Sequence, residues 1–261
     1  MEILRPTLLL NKKKCIANIS AMAKKAKLHQ LNFRPHFKTH QSAEVGKWFK
    51  DLGVNSITVS SVKMAEYFAK NGWNDITIAF PVNALEIEHI NKLAEKINLN
   101  ILLTNIDSVL IMKSKLKQKL GAFIKIDTGY KRAGILAENN NELDELIYEI
   151  SKNKLIEFKG FLSHDGHTYN ATSKSEILNI RVRSNTELQK LKERYKADYP
   201  NLIASIGDTP SCSISDNFDG IDEIRPGNFV FYDLMQLRIG SCFTENIAIS
   251  LACPVVDKRK D

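Results

Sequence analysis

Residues 75–104 read DITIAFPVNALEIEHINKLAEKINLNILLT. The stretch opens with a short apolar, β-branched run, Asp75–Phe80, which Pro81 stops. Residues 85–97 follow, with Ile87, Ile90, Leu93 and Ile97 at helical spacing on one face. A second apolar run, 99–104, closes the unit. Strand, amphipathic helix, strand is the pattern of a parallel βαβ unit, and the chain repeats it in both directions. Strands are expected at 32–40, 55–60, 75–80, 99–104, 122–127, 156–163, 202–206 and 223–231. Helices are expected at 18–28, 43–52, 62–71, 85–97, 106–120, 141–151 and 173–195.

Eight strands alternating with helices predict an α/β fold closed into a TIM-like (β/α)8 barrel, a size that 261 residues accommodate. No GxGxxG follows the first strand, which argues against a doubly wound dinucleotide fold. After Asp233 the helical pattern gives way to β-like alternation around Ile247, Ile249 and Leu251. Residues 11–235 are therefore expected to form the barrel. Residues 1–10 and 236–261 are expected to form the remnant of an incomplete second β-domain, in which Arg5–Leu10 could pair with the C-terminal run.

Composition narrows the function classes. Net charge is +7, from 37 Lys+Arg against 30 Asp+Glu. The lysines scatter along expected helices (Lys24, Lys25, Lys27; Lys113, Lys115, Lys117, Lys119) without interleaved aromatics. That reads as a solvated face, with no nucleic-acid partner. No run reaches the roughly 20 apolar residues of a membrane span. The N-terminal run precedes its lysines, the reverse of a secretory signal, so a cytoplasmic location is expected. Cys15, Cys212, Cys242 and Cys253 show neither CxxC spacing nor a disulfide framework.

Polar residues gather at strand C-terminal ends, where a barrel builds its active site. RPHFKTH, Arg34–His40, sets Lys38 between His36 and His40, all on one side of an extended strand. Lysine becomes a carbonyl nucleophile when burial or nearby cations lower its pKa. On this stretch alone a surface lysine beside hydrated histidines is the favoured explanation. SHDGHTY, Ser163–Tyr169, brings His164 and His167, which could bind a metal, relay protons or simply cap a turn. SIGDTPSCS, Ser205–Ser213, sets backbone donors and hydroxyls after a strand, as a phosphate cradle requires. The Arg-Pro-Gly-Asn turn of EIRPGNFVFYD, Glu223–Asp233, could add donors to the same anion. A nucleophilic lysine and a phosphate cradle at one mouth point to pyridoxal 5'-phosphate (PLP).

RPHFKTH, DTGYKRAG (Asp127–Gly134), SHDGHTY, GDTPSC and RPGNFVFYD, in that order, resemble the D-threonine aldolase and D-serine dehydratase family, fold-type III PLP enzymes related to alanine racemase. The resemblance spans nearly the whole chain. It implies that Lys38 carries PLP covalently, beside His36. It puts Arg132 near the cofactor ring and sets His164 and Tyr169 on the substrate side. Gly207, Thr209, Gly227 and Asn228 would hold the phosphate, with Tyr232 near the pocket. The implied catalytic residues are Lys38, His164 and Tyr169. The implied activity is a PLP-dependent lyase on D-β-hydroxy amino acids, an aldolase or a dehydratase, in a homodimer once the β-domain is complete. An amino-acid racemase and a non-catalytic PLP-binding protein are the alternatives. Asp208 stands where the family has a small residue, and a carboxylate there must turn from a phosphate. The family's divalent metal, Mn or Zn, would find its His-x-Cys or His-x-Asp ligands only beyond residue 261.

Overall fold

The computed structural model describes residues 2–259. A first strand, β1 (Thr7–Leu10), leads into α1 (Lys12–Leu28). There follow β2 (Asn32–Phe33), α2 (Ala43–Lys50), β3 (Ile57–Val59), α3 (Val62–Lys70), β4 (Asp75–Pro81) and α4 (Ile87–Ala94). Next come β5 (Asn98–Leu103), α5 (Ile106–Lys113), β6 (Leu120–Asp127), a short β7 (Ile135–Leu136) and α6 (Asn140–Ser151). The chain continues through β8 (Ile156–Leu162), α7 (Lys174–Tyr195), β9 (Ile203–Ile206), α8 (Thr209–Ile214) and β10 (Glu223–Ile224). It ends with α9 (Leu234–Arg238) and β11 (Ile249–Ala252).

Eight strands pair in parallel in the order β2-β10-β9-β8-β6-β5-β4-β3, and β7 pairs with β6 off this path. The two ends of that series, β2 and β3, meet through one parallel bridge, His36 to Thr58. Thr58 reinforces the seam. Its amide donates to the Pro35 carbonyl at 2.9 Å, and its hydroxyl donates to the Arg34 carbonyl at 2.8 Å. The result is the expected barrel.

Strand alternation sorts the core into two shells. On β6, Ala122, Ile124 and Ile126 pack outward in the large apolar cluster shared with the helices. Phe123 joins Leu102 and Leu162 in a small inner cluster. The helices begin where the sequence supplies caps. Asn11, Ser42, Ser61, Asn105, Ser173, Asp208 and Asp233 each accept a first-turn amide with their side chains.

Several expected elements are corrected. The first barrel strand covers only Asn32–Phe33. Pro35 has no amide to donate, and Phe37–Thr39 turn as a 3-10 helix. The last strand stops at Ile224, because Pro226 and Gly227 lead into a 3-10 turn, Asn228–Val230. The first helix begins at Lys12 rather than Asn18, and the helix from Ile106 ends at Lys113, since Leu120 already belongs to β6. Residues 234–238, expected to be β-like, are helical because Asp233 accepts the Gln236 amide at 2.8 Å. β1 pairs antiparallel with β11, Leu8 opposite Leu251. Both leucines are mostly exposed, at 65% and 63%.

Candidate active site

Lys38 occupies the 3-10 turn just past β2, at the mouth. His36, the residue before this turn, accepts the Lys38 amide on Nδ1 at 3.3 Å. With Nδ1 an acceptor, a neutral His36 carries its proton on Nε2. Burial, and then the cations Lys38 and Arg225, hold His36 well below the ordinary histidine pKa. The Lys38 pKa is itself lowered, first by desolvation and then by Arg132 and Arg225. Its side chain keeps solvent access.

The expected geometry of His40 is corrected. The 3-10 turn carries His40 away from Lys38 into an aromatic box, 4.4 Å from the Phe37 ring centroid and stacked 5.7 Å from Phe49. Its Nδ1 accepts the Ser42 amide at 3.1 Å. It shapes the wall behind the turn and does not face the mouth.

His164 follows β8, and its Nδ1 hydrogen-bonds the Gly207 carbonyl that follows β9. That bond makes Nδ1 the donor and leaves Nε2 as the free acceptor. Desolvation first, then Lys38, Arg225 and Arg132, lowers its pKa to about 3 against the opposing Gly207 bond. His164 is therefore a neutral base. Tyr169, in the 3-10 turn Gly166–Asn170, accepts the Thr209 amide on its hydroxyl at 3.1 Å. Burial, then Asp208, raises its pKa, so the hydroxyl keeps its proton.

The loops after β9 and β10 meet. The Thr209 hydroxyl accepts the Phe229 amide at 3.3 Å. The loop before that turn passes so close to the Lys38 turn that a Cβ on Gly227 would lie 2.9 Å from the His36 carbonyl oxygen. Gly207 lies against Arg225, where a Cβ would come within 2.9 Å of the Arg225 Cβ. The Asn228 side chain donates to Asp233 at 2.7 Å, and its carbonyl accepts the Tyr232 amide at 2.8 Å. Tyr232 is buried, with its hydroxyl 2.9 Å from that of Ser213. Asp208 turns inward as the cap of α8, accepting the Ser211 amide at 2.7 Å and the Thr168 hydroxyl at 3.0 Å. Desolvation, then Asp165, raises its pKa to about 6.

Three buried charges carry more of this site than the sequence suggests. Arg225 is 3% exposed and donates to the Ser205 hydroxyl at 2.7 Å and the Ser163 carbonyl at 2.5 Å. Desolvation lowers its pKa to about 10, so it stays cationic. Lys125, interior on β6, donates to the Ile126 carbonyl at 2.6 Å, and desolvation followed by Arg225 lowers its pKa to about 8. Asp165 accepts the hydroxyls of Thr128 and Ser184, each at 2.7 Å, and so ties the loops after β6 and β8 to α7. A lysine within the apolar run AFIKID was the one visible signal for Lys125. In SHDGHTY, Asp165 reads beside the two histidines as a metal ligand, a proton relay or a turn cap.

Among the described residues, none of Lys38, Arg132, Arg225 and Lys125 has an ion-pair partner within 4.0 Å. An amine of lowered pKa, cations without a direct ion-pair partner and two converging turns fit an anionic aldehyde such as PLP. No group of three or more His, Cys, Asp or Glu among the described residues is placed to hold a metal ion. A groove of about 860 Å³ lies elsewhere, along α7 from Gln189 to Lys196, and carries none of this chemistry.

Comparisons with known proteins agree with the fold. The family model described as alanine racemase, N-terminal domain, matches residues 10–234. The D-serine dehydratase of Dictyostelium discoideum is 32% identical, across 92% of this chain and 65% of that protein. The D-threo-3-hydroxyaspartate dehydratase of Delftia sp. is 26% identical, across 94% of this chain and again 65% of the relative. This chain thus spans just under two thirds of their length. The solved structure of the Delftia enzyme superposes with a TM-score of 0.87 at 24% identity, covering 94% of this chain and 66% of that one. D-threonine aldolase from Filomicrobium marinum gives 0.86 at 18% identity, covering 94% and 68%, a likeness of fold. On the match over residues 10–234, the chain belongs to the alanine racemase N-terminal domain family.

Proposed function

We propose that this chain binds PLP at the barrel mouth and supplies the catalytic barrel of a lyase acting on D-β-hydroxy amino acids. The observation that carries this is Lys38, an amine of lowered pKa set among unpaired cations and facing a neutral histidine. Lys38 Nζ would hold the cofactor. Arg132 and Arg225 would face its ring. Gly207, Thr209, Gly227 and the Asn228 backbone would hold its phosphate. When bound, PLP withdraws electrons from the bonds at an amino acid's α-carbon.

The protein's own groups then select which bond breaks. Lys38 Nζ, an amine of lowered pKa, would be a base able to accept the α-proton. That route ends in loss of the β-hydroxyl, as in a dehydratase. His164 Nε2 is an acceptor able to take the β-hydroxyl proton, and that route ends in retro-aldol cleavage to glycine and an aldehyde. The Tyr169 hydroxyl, neutral and already accepting the Thr209 amide, keeps an O–H to donate. Relatives named for dehydration of D-serine and D-threo-3-hydroxyaspartate, at 32% and 26% identity, favour the first route. A divalent ion, Mn or Zn, would take its ligands from outside the described residues.

The β1–β11 ribbon, with residues 1–10 and 236–261, is read as the root of a β-rich second domain, and a homodimer belongs with that reading. Four free cysteines support a cytoplasmic setting. Among the described residues, no helix is long and apolar enough to cross a membrane.

The test is turnover by the PLP-loaded chain of D-serine, D-threonine and D-threo-3-hydroxyaspartate, with their L-enantiomers and D-alanine as controls. Keto acid and ammonia, or glycine and aldehyde, from D-substrates alone is expected. Interconversion of D- and L-alanine would make the chain a racemase. Bound PLP without turnover would limit it to binding.

A further inference from the structure

Tyr130, in the loop after β6, packs among Arg132, His164 and His167, yet none of the roles above uses it. The Arg132 guanidinium stands over its ring, 4.9 Å from the centroid. His167 stacks on it at 6.2 Å and 20°. His164 meets it edge-on at 5.9 Å and 81°. Gly166 leaves the room for this packing, because a Cβ there would come within 2.4 Å of the Tyr130 ring. The loop that presents Tyr130 is stiff. Asp127 accepts the amides of Gly129 and Lys131, each at 3.0 Å, and Thr128 is tied to Asp165 at 2.7 Å.

We propose that Tyr130 is a positioning residue: its ring holds the Arg132 guanidinium at the mouth and clamps the loop after β8, so that Arg132 stays beside Lys38. An arginine with no carboxylate partner would otherwise swing into water, where its hydration is best. The ring quadrupole gives it a reason to remain, by an interaction that restrains a partly exposed side chain about two- to fivefold. Every contact described is made by the ring, so phenylalanine should substitute and an aliphatic residue should not. Lys38 also feels Arg225 from the end of β10 and stands near the neutral His36 and His164, none of which is held by Tyr130 alone. The inference rests on Lys38 being the reactive amine of the proposed function. Its test is made on the unloaded chain, so it can fail while lyase activity stands, and the reverse.

The measurement is the rate of Lys38 acetylation by acetic anhydride, followed by peptide mass spectrometry across the lysine titration range. Tyr130→Leu is expected to lower Lys38 reactivity near neutral pH about two- to fivefold, by releasing Arg132 and letting the ammonium keep its proton. Tyr130→Phe is expected to match the unmodified chain. Arg132→Gln is expected to reproduce the Leu effect, and the double variant to add nothing further. Gly166→Ala drives a methyl against the ring from the other side and is expected to act like Tyr130→Leu, so the test survives if the Leu variant fails to fold. An unchanged Lys38 profile in Tyr130→Leu or Gly166→Ala, a Phe variant as slow as Leu, or additive losses in the double variant would each overturn the proposal.

Discussion

Thr128 donates its hydroxyl to the Asp165 carboxylate across 2.7 Å, joining the loop after β6 to the loop after β8 beneath the mouth. Ser184 of α7 donates to the same oxygen, and the buried Arg181 of that helix adds positive charge near both Asp165 and Asp208. Asp208 repeats the device one loop on, through Thr168. Two buried aspartates thus set the heights of three loops relative to one another.

Removing Asp165 should loosen the mouth as a whole. Asp165→Ala strands two buried hydroxyls and a buried cation, and is expected to cost about 3 kcal/mol. Urea unfolding should show a lower midpoint at constant slope. PLP retention should fall in the same variant.

Lys38→Ala should abolish both the visible absorbance of bound cofactor and its fixation by borohydride. Lys38→Arg should do so equally, because an arginine stays charged at working pH. A borohydride-fixed adduct surviving in either variant would move the anchor to another lysine, with Lys125 the first to examine.

Stability should fall as the medium is acidified from about pH 6.5. His36, His40 and His164 are all held below the ordinary histidine value by burial, His40 to about 4 and His164 to about 3. Their folded-state values lie below the unfolded one, so their contribution is full above the unfolded pKa and is lost as pH falls. Asp208 works the other way. Its folded value of about 6 lies above the unfolded carboxylate value, so its contribution is present at low pH and lost as pH rises through 6. With three protons against one, the net slope is roughly 3 kcal/mol per pH unit between about pH 6 and pH 4. Asp208→Asn keeps the cap of α8 and should steepen that slope, as followed by denaturant titrations at stepped pH.

Gly207→Ala places a methyl against Arg225 and disturbs the carbonyl that orients His164. The expected cost is about 1–3 kcal/mol. A sharper loss is expected in PLP affinity, read by equilibrium dialysis.

The barrel was legible because the βα units repeat the alternation of residues 75–104: a short apolar run followed by a helix. The strands at the seam were misread for a physical reason. Asn32–Phe33 and Glu223–Ile224 lead into Pro35 and Pro226, and both segments turn toward the mouth immediately. Lys38, His164, Tyr169 and Thr209 are expected at the site from motifs that place polar groups at strand ends. Asp165 and Tyr130 stand in two of those motifs, but what they and Arg181 do depends on partners far along the chain. A turn aspartate and a helix arginine look like surface residues until the fold buries them together.

The seam has a consequence for how the molecule comes into being. Arg34 of the first barrel turn donates to Glu223 of the last strand at 2.7 Å, across 189 residues of sequence. Contacts of such span carry the greatest loop-closure entropy and, on a simple pathway, form late. The Lys38 turn depends on that closure, since the His36 amide donates to Pro226 at 2.9 Å and the His36–Thr58 bridge shuts the ring. During refolding, competence to capture PLP should therefore lag behind the appearance of helix signal, which makes cofactor uptake a clock for the final step of assembly.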